Sequence, residues 1–242
     1  MYIKWGHSTM KNPIADIISL FVPPLCPVCG AILLEGESCV CTRCKLTAPL
    51  TGYAHDVDNS LYRTFWGIVP IERASALLYF PSHESGWRRA IHDFKYRGYW
   101  RVARDFGEWM GHDLLSSEVF LGVDVVVPIP LHPFKKLRRG YNQSDYIGEG
   151  LTRVLGVPLS VGNVVRTRHN PSQALTRGSK RWDNVRDIFA VRHPEKLAGK
   201  HILLVDDVFT TGATIQSCAM AILRSVPDVR ISIATLATAH RD

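Results

Sequence analysis

Apolar residues from position 71 onwards follow two alternating patterns, which predict strands and helices in turn. The continuous apolar run at 202–205 and the mainly apolar stretches at 74–80, 123–129 and 230–237 are typical of strands that are covered on both faces. Apolar residues three and four positions apart predict helices over 102–114 and 147–155, and a third from Ala213 whose apolar face runs to Val226. Because strands and helices alternate, we predict an α/β fold with a parallel sheet flanked by helices.

The chain before position 71 lacks this alternation and is predicted to form three segments. Residues 1–22 are interpreted as a lead-in helix, because the apolar stretch 14–22 contains Asp16 and ends at Pro23-Pro24. This stretch is short and has no small-residue cleavage site, so we expect an amphipathic helix rather than a signal peptide. Residues 23–50 form a cysteine-rich unit. Residues 51–70 are a connector with room for one short strand, and they belong to a domain over 51–242.

Five of the six cysteines fall within residues 26–44, where two C-x-x-C pairs are separated by eleven residues. Two such pairs can place four thiolates tetrahedrally around Zn²⁺, which would close a unit too small to bury enough core alone. We therefore predict a structural zinc site with four ligands, Cys26, Cys29, Cys41 and Cys44. Disulfides are the main alternative, but a cytoplasmic protein keeps its thiols reduced.

The other two cysteines are not predicted to bind the metal. Cys39 is interpreted as a bystander that could replace Cys41 if the loop slipped, and Cys218 lies on an apolar helix face. We also expect the zinc unit to have a core separate from that of residues 51–242, so that losing the metal would leave the larger domain folded.

The amino-acid composition indicates a soluble protein, and the net charge bears on the kind of partner that it binds. Hydrophobic residues make up 46% of the chain and charged residues 21%, which is ordinary for a soluble protein with a full core. No stretch of 18 apolar residues occurs, so no membrane insertion is expected, and we predict a cytoplasmic protein. A net charge of +7 suggests an anionic partner, although a merely basic surface would give the same value.

The most informative segment is 202–214, where four apolar residues lead into two carboxylates and a loop of hydroxyls around one glycine. A loop that enters a helix after a buried parallel strand is where open α/β sheets bind ligands. Backbone N–H groups at the helix start hold a phosphate, and carboxylates accept ribose hydroxyls or bind Mg²⁺. The predicted binding residues are Asp206, Asp207, Thr210, Thr211, Gly212, Ala213 and Thr214.

This segment resembles the phosphoribosyl pyrophosphate (PRPP) motif of type I phosphoribosyltransferases. That motif has several apolar residues, two acids, one or two further residues, and then Thr-Thr/Ser-Gly-Gly/Ala-Thr. The resemblance implies a type I phosphoribosyltransferase-like domain that binds PRPP together with Mg²⁺. A plain strand-turn-helix is the alternative, whereas a Walker-type loop is excluded because no Gly-Lys-Ser/Thr follows the glycine.

Three basic segments accompany this motif, at 95–98, 135–143 and 166–186. The second leaves the carboxyl end of the strand at 123–129, so its cations are expected at the same rim as the hydroxyl loop, where Arg suits a pyrophosphate. Its candidate residues are His132, Lys135, Lys136, Arg138 and Arg139. The third is interpreted as a mobile loop that closes over substrate, with candidate residues Arg168, Gln173, Arg177 and Arg181.

The motifs in order resemble the ComF/GntX family, which comprises competence protein F and its relatives. They are the double C-x-x-C, Lys95-Tyr96-x-Gly98, the run 127–132, Arg138-x-Gly140-Tyr141-Asn142-Gln143, Gln173-x-Leu175, Arg181-x-x-Asn184-Val185 and the PRPP motif. The likeness covers about residue 20 to the end of the chain. It implies an N-terminal zinc finger, a phosphoribosyltransferase domain, and a role in natural transformation, in the cytoplasm, on incoming single-stranded DNA and with DNA-uptake proteins.

Two hypotheses on function stay open from the sequence. The first is a PRPP-binding protein of DNA uptake, which is favoured by the zinc finger, the net charge and the aromatic residues near Arg101. The second is a Mg²⁺-dependent phosphoribosyltransferase of nucleotide metabolism with a nucleobase or amine acceptor. In such transfers binding groups and catalytic groups largely coincide, so no catalytic residue is singled out.

Overall fold

The computed structural model describes residues 23–80, 85–96, 100–167 and 188–239. The lead-in helix predicted over 1–22 therefore lies outside the described residues. Short 3₁₀ turns cover Tyr53–His55 and Pro194–Lys196. The helices are α1 (Thr42–Leu46), α2 (Ser60–Arg63), α3 (Gly86–Tyr96), α4 (Trp100–Ser116), α5 (Pro133–Arg139), α6 (Gln143–Leu155) and α7 (Ala213–Ser225). The strands are β1 (Arg73–Tyr79), β2 (Val125–Pro128), β3 (Val164–Arg166), β4 (Phe189–Val191), β5 (His201–Phe209) and β6 (Arg230–Thr238).

Four strands form one parallel sheet in the order β1-β6-β5-β2, as the alternation of apolar patterns predicted. Helices and the cysteine-rich unit cover one face, where the buried side chains include Phe106, Ile147 and Leu203. The other face is covered by α2, α7 and a separate antiparallel hairpin of β3 and β4. Both faces of β5 are therefore buried, which explains why its sequence reads as a continuous apolar run.

The predicted strands are found with shifted ends. The apolar run at 202–205 predicted a strand that stops before the carboxylates, but β5 continues to Phe209 and contains both Asp206 and Asp207. Pairing with β6 explains the extension, since Asp206 pairs with Thr235 and Phe209 with Thr238. The two carboxylates thus project from a paired strand rather than from a loop.

The cysteine-rich unit shares its core with the large sheet, so the expectation of a separate core is wrong. Cys26, Val28 and Val40 belong to the same buried cluster as Trp87 and Phe106. The contact is close, because a Cβ added to Gly86 would lie 2.0 Å from the carbonyl oxygen of Val28. A unit this small buries its apolar side chains by packing on α3 and α4 instead of on itself.

The chain that leaves this unit runs along the outer edge of β1. The amide of Thr51 donates to the carbonyl of Leu77 over 3.1 Å, and the amide of Tyr79 donates to Pro49 over 2.8 Å. Further along, the side-chain amide of Asn59 donates to the carbonyl of Ala74 over 2.9 Å. Leu50, just before the connector, makes an isolated bridge to Leu78 of β1. The connector 51–70 itself holds a 3₁₀ turn and α2, and no strand, within this described segment.

Candidate functional site: a phosphate-binding rim and a four-cysteine centre

Polar side chains converge at the carboxyl ends of β2 and β5, which are neighbours in the sheet. Helices α5 and α6 follow β2, and α7 follows β5, so all three begin near this edge. The side-chain amide of Asn142 donates to the carbonyl of Ile129 over 3.0 Å and fixes the start of α6 against the end of β2. Because parallel strands end at one edge, segments far apart in the sequence form a single rim.

Asp206 is held from two directions at this rim. Its Oδ1 accepts a hydrogen bond of 3.1 Å from the hydroxyl of Ser144, in the first turn of α6. The same oxygen accepts one of 2.9 Å from the backbone amide of Asp207. The Oδ1 of Asp207 in turn accepts from the amide of Val208 over 2.6 Å. These donors fix the orientation of both carboxylates, and carboxylate oxygens accept from hydroxyl groups or bind metal ions.

The hydroxyl loop follows directly and leads into α7. Gly212 has φ +74, and a Cβ at this position would lie 2.8 Å from the ring of Phe209, so both the conformation and the space require glycine. The loop and the end of β5 line a small pocket of about 40 Å³. Its exposed members are Thr210, Thr211, Ala213 and Thr214. The structure thus brings all seven residues of the predicted motif to one place.

A larger cleft of about 510 Å³ lies elsewhere, lined by Tyr62 and residues 65–71. Its lining is mainly apolar and contains no carboxylate, lysine or arginine. A phosphorylated sugar needs convergent donors and carboxylates, which the small pocket at the rim has and the cleft lacks. Size alone therefore does not identify the site.

The predicted pyrophosphate residues occupy α5 and its start. His132 is buried, and its Nδ1 accepts from the amide of Phe134 over 3.2 Å, which caps this helix. Lys136 lies 3.9 Å from a carboxylate oxygen of Asp145, and Arg139 donates to Gln143 over 3.1 Å. Lys135 and Arg138 are exposed. The pyrophosphate role of these residues stays a prediction, and so does that of Arg168, Gln173, Arg177 and Arg181, which lie outside the described residues.

Two further residues at the rim, Ser144 and Arg166, are not among the site residues predicted from the sequence. Ser144 lies one position beyond the second basic segment, and Arg166 opens the third. Burial lowers the pKa of the Arg166 guanidinium, and the nearby carboxylate of Asp206 opposes that shift. The signal available for Arg166 was its position directly after the apolar pair Val164-Val165, and for Ser144 its position just ahead of the helical apolar stripe that begins at Ile147.

The four predicted zinc ligands come together at the other end of the chain. The sulfur atoms of Cys26, Cys29, Cys41 and Cys44 all lie within 4.8 Å of one another. Four thiolates bound to one Zn²⁺ at about 2.3 Å lie about 3.8 Å apart in a tetrahedral site. The Sγ atoms of Cys29 and Cys41 are 3.6 Å apart, near that spacing and well beyond a disulfide bond. The cluster therefore fits a structural zinc ion.

Backbone amides donate hydrogen bonds to two of these sulfurs. The backbone amide of Cys41 donates to the Sγ of Cys26 over 3.4 Å. A backbone hydrogen bond from Ala31 is the main cause that lowers the pKa of Cys29 to about 7, which favours the thiolate that binds metal. Cys39 is buried but is not part of this group of four sulfurs, and its role as a bystander stays a prediction.

The family model described as "Phosphoribosyl transferase domain" matches residues 144–242, which include the rim from Ser144 to the hydroxyl loop. The DNA utilization protein YhgH of Escherichia coli K12 is 30% identical over 217 residues, which are 85% of this chain and 93% of that protein. The chain belongs to the ComF/GntX family. The predicted fold class is thereby confirmed, with its zinc-binding cysteine cluster at the N-terminal side.

Other members of the ComF/GntX family are also similar to this chain in sequence. Competence protein F of Haemophilus influenzae is 32% identical over 118 residues, 48% of this chain and 51% of that protein. Competence protein ComFC of Bacillus subtilis is 27% identical and covers 84% of this chain and 86% of its own length. Among solved structures, the B. subtilis glutamine PRPP amidotransferase has a TM-score of 0.38 at 17% identity, over 54% of this chain and 25% of that one.

In the described parts of this family member, every helix is too short or too polar to cross a membrane.

Proposed function

We propose that this protein binds PRPP with Mg²⁺ at the rim and acts in the cytoplasm in DNA uptake, on or with incoming single-stranded DNA. The proposal that it binds PRPP rests on one observation: Asp206 and Asp207 lie next to the hydroxyl loop within a phosphoribosyltransferase domain. The names of its relatives, "DNA utilization protein" and "Competence protein", support the DNA part.

The geometry at the rim suits the parts of PRPP. Backbone N–H groups at the start of α7 and the hydroxyls of Thr210, Thr211 and Thr214 would hold the 5-phosphate. The carboxylates of Asp206 and Asp207 would accept the vicinal hydroxyls of the ribose. Their hard oxygen atoms also fit Mg²⁺, which neutralises charge on pyrophosphate when it is bound. Cations from α5 would contact the pyrophosphate from the neighbouring strand end.

Calorimetry with PRPP and Mg²⁺ tests this assignment. Replacing Asp206 and Asp207 together by Asn removes charge with little change in volume, so PRPP affinity should fall at least about tenfold while the ligand-free thermal midpoint moves little. Asp228→Asn is the matched control, because Asp228 lies in the turn between α7 and β6, away from the rim. Equal PRPP affinity in the double variant and in the wild type would contradict the assignment.

Aromatic and cationic side chains at the same end of the sheet support DNA binding. The rings of Trp100 and Tyr146 lie 5.3 Å apart, and Tyr141 contacts Tyr146 edge-on at 5.5 Å. The guanidinium groups of Arg101 and Arg104 lie 4.9 and 5.4 Å from the centre of the Trp100 ring. Stacking surfaces beside cations are the features by which proteins hold single strands without reading sequence.

A salt titration by fluorescence anisotropy tests the DNA part. Binding of a poly-dT oligonucleotide should be weak and fall steeply with salt, by about 0.7 in log affinity per neutralised phosphate per decade. Changing Lys135, Lys136, Arg138 and Arg139 to Ala should flatten this slope and also weaken PRPP binding. The control changes the same number of cations at the opposite end of the sheet, Lys196, Lys200, Arg224 and Arg230.

The second candidate function is a Mg²⁺-dependent phosphoribosyltransferase of nucleotide metabolism with a nucleobase or amine acceptor. The match to the phosphoribosyl transferase domain favours it as much as the first. If the oligonucleotide does not bind even at low ionic strength while PRPP does, this second function is the one that survives.

A further inference from the structure

Arg166 occupies a defined position on the hairpin that covers one face of the rim. It is the last residue of β3 and pairs with Phe189 of β4. Its guanidinium lies 5.5 Å from the centre of the Phe189 ring, which supports the group from one side. Phe189 itself is buried against α7 in the cluster that contains Ile215 and Cys218. The hairpin thus holds this cation on a rigid base.

Within the described residues, the guanidinium of Arg166 makes no hydrogen bond or ion pair, and its Nε is buried without a partner. Two groups from the elements beside it act on it electrostatically, the carboxylate of Asp206 and the thiol of Cys218. Burial raises the pKa of Cys218, so that thiol stays neutral and offers no counter-charge. A desolvated cation without a close partner is costly, and a ligand oxyanion would offset that cost.

The two faces of the sheet bring different groups to Asp206. Ser144 reaches it from α6, whose residues Ile147 and Leu151 pack on one face. Arg166 comes from the hairpin on the other face, where Val164 and Phe189 are buried. Asp206, near the carboxyl end of β5, is therefore approached by a hydroxyl donor from one face and by a guanidinium from the other. A ligand that lies beside the ribose would contact the guanidinium side.

We propose that Arg166 is an anion-recognition residue, which binds a carboxylate or phosphate oxygen of the second ligand that lies beside the ribose of PRPP. This inference rests on the proposed PRPP site. The planar fork of an arginine suits two-point contact with either oxyanion, and its support by Phe189 pre-orders it. The carboxylate of an acceptor molecule and the phosphate of a nucleotide share this chemistry.

Calorimetry with matched probe pairs tests the proposal and separates the two sources. Orotate and uracil differ by one carboxylate, and thymidine 5′-monophosphate and thymidine differ by one phosphate. Each probe is titrated into the full chain with and without PRPP and Mg²⁺. The variants are Arg166→Gln, which keeps contact with Phe189 but removes the charge, and Arg166→Lys, which keeps the charge without the fork. Arg192→Gln is the control, since Arg192 is exposed just beyond β4 on the same hairpin.

In the wild type, the anionic member of at least one pair should bind about tenfold more tightly or better than its neutral partner. Arg166→Gln should abolish this preference, Arg166→Lys should reduce it, and Arg192→Gln should leave it unchanged. PRPP affinity should change by less than about threefold in Arg166→Gln. If Arg166→Gln does not fold, the Lys variant carries the comparison.

Three results would overturn the proposal: no anionic preference in the wild type, the same preference in Arg166→Gln, or a loss of PRPP affinity in Arg166→Gln with the preference retained. The last would assign the guanidinium to PRPP itself. Failure of the wild type to bind PRPP, with the preference lost in Arg166→Gln, would contradict the proposed function and leave the anion site supported. The two failures are therefore distinguishable.

Discussion

The hydroxyl of Ser144 donates a hydrogen bond of 3.1 Å to the carboxylate of Asp206, although the two residues lie 62 positions apart. This bond joins the first turn of α6 to the end of β5. Because Asp206 also accepts from the amide of Asp207, one of its oxygens is held by two donors before any ligand arrives. Pre-positioning of this kind lowers the entropic cost of binding.

Ser144→Ala should weaken PRPP binding about three- to tenfold, since a hydrogen bond to a charged group contributes about 1 kcal/mol or more. The thermal midpoint should change little because the side chain is small. Thr152→Ala is the control on the same helix, where the hydroxyl donates to the carbonyl of Glu149 instead. Calorimetry measures both. Unchanged PRPP affinity in Ser144→Ala would show that the bond does not position Asp206 for this ligand.

Removal of zinc should destabilise the whole protein rather than residues 23–50 alone. The ligand Cys26 is buried in the same cluster as Trp87 and Phe106, so loss of the metal should lower the free energy of unfolding by on the order of 3 kcal/mol or more. We expect Cys26→Ser to lose its zinc by metal analysis and to unfold earlier when followed by near-ultraviolet circular dichroism. Cys39→Ala should keep one zinc per chain. A zinc-free protein with the wild-type midpoint would restore the idea of separate cores.

Gly212→Ala should disturb both stability and binding. Its φ of +74 disfavours a side chain, and the added Cβ would lie 2.8 Å from ring atoms of Phe209. The conformational part alone costs about 1 to 2 kcal/mol. Gly162→Ala isolates that part, since Gly162 has φ +77 with nothing within 4 Å of the added atom. Thermal unfolding should show the larger loss for Gly212→Ala, and calorimetry should show loss of PRPP binding only there.

Asp105 should make the protein less stable as the pH rises. Burial is the main cause that raises the pKa of its carboxyl to about 7, against the opposing charge of Arg104. The folded state then holds a proton that the unfolded state releases near pH 4, so stability falls between about pH 4 and pH 7. Asp105→Asn should remove this slope and stabilise the protein at pH 8 by on the order of 2 kcal/mol. Urea unfolding across this range checks it, and an unchanged slope would contradict it.

Local apolar patterns predicted the strands of the large sheet and the helices beside them, because buried strands and helices have characteristic spacings of apolar residues. The run at 74–80 corresponds to β1 at Arg73–Tyr79, and the motif at 206–214 lies at the predicted strand end. Long-range pairings have no such pattern. The hairpin pairs 164–166 with 189–191, three residues in each strand, and neither short segment has a sequence pattern that identifies its partner.

Packing of the cysteine-rich unit was missed for a similar reason. The spacing of its cysteines predicts the metal site, because that site is local. It does not predict which other side chains of the unit pack against the rest of the protein. Val28 and Val40 read as ordinary loop residues in the sequence, yet both are buried against the helices. The contact depends on Gly86, whose missing side chain lets α3 approach the carbonyl of Val28.

The bonds from Pro49 and Thr51 to β1 have a consequence for self-association. An edge strand with unpaired backbone groups is a template onto which a second molecule can add its own strand, and this is a common route to aggregation. Here the chain leaving the cysteine-rich unit occupies that edge, with Leu50 bridged to Leu78. A zinc ion bound by the four thiolates would hold this chain in place. Metal starvation would then leave the backbone of β1 open to pairing with another molecule, so loss of zinc would promote aggregation as well as unfolding.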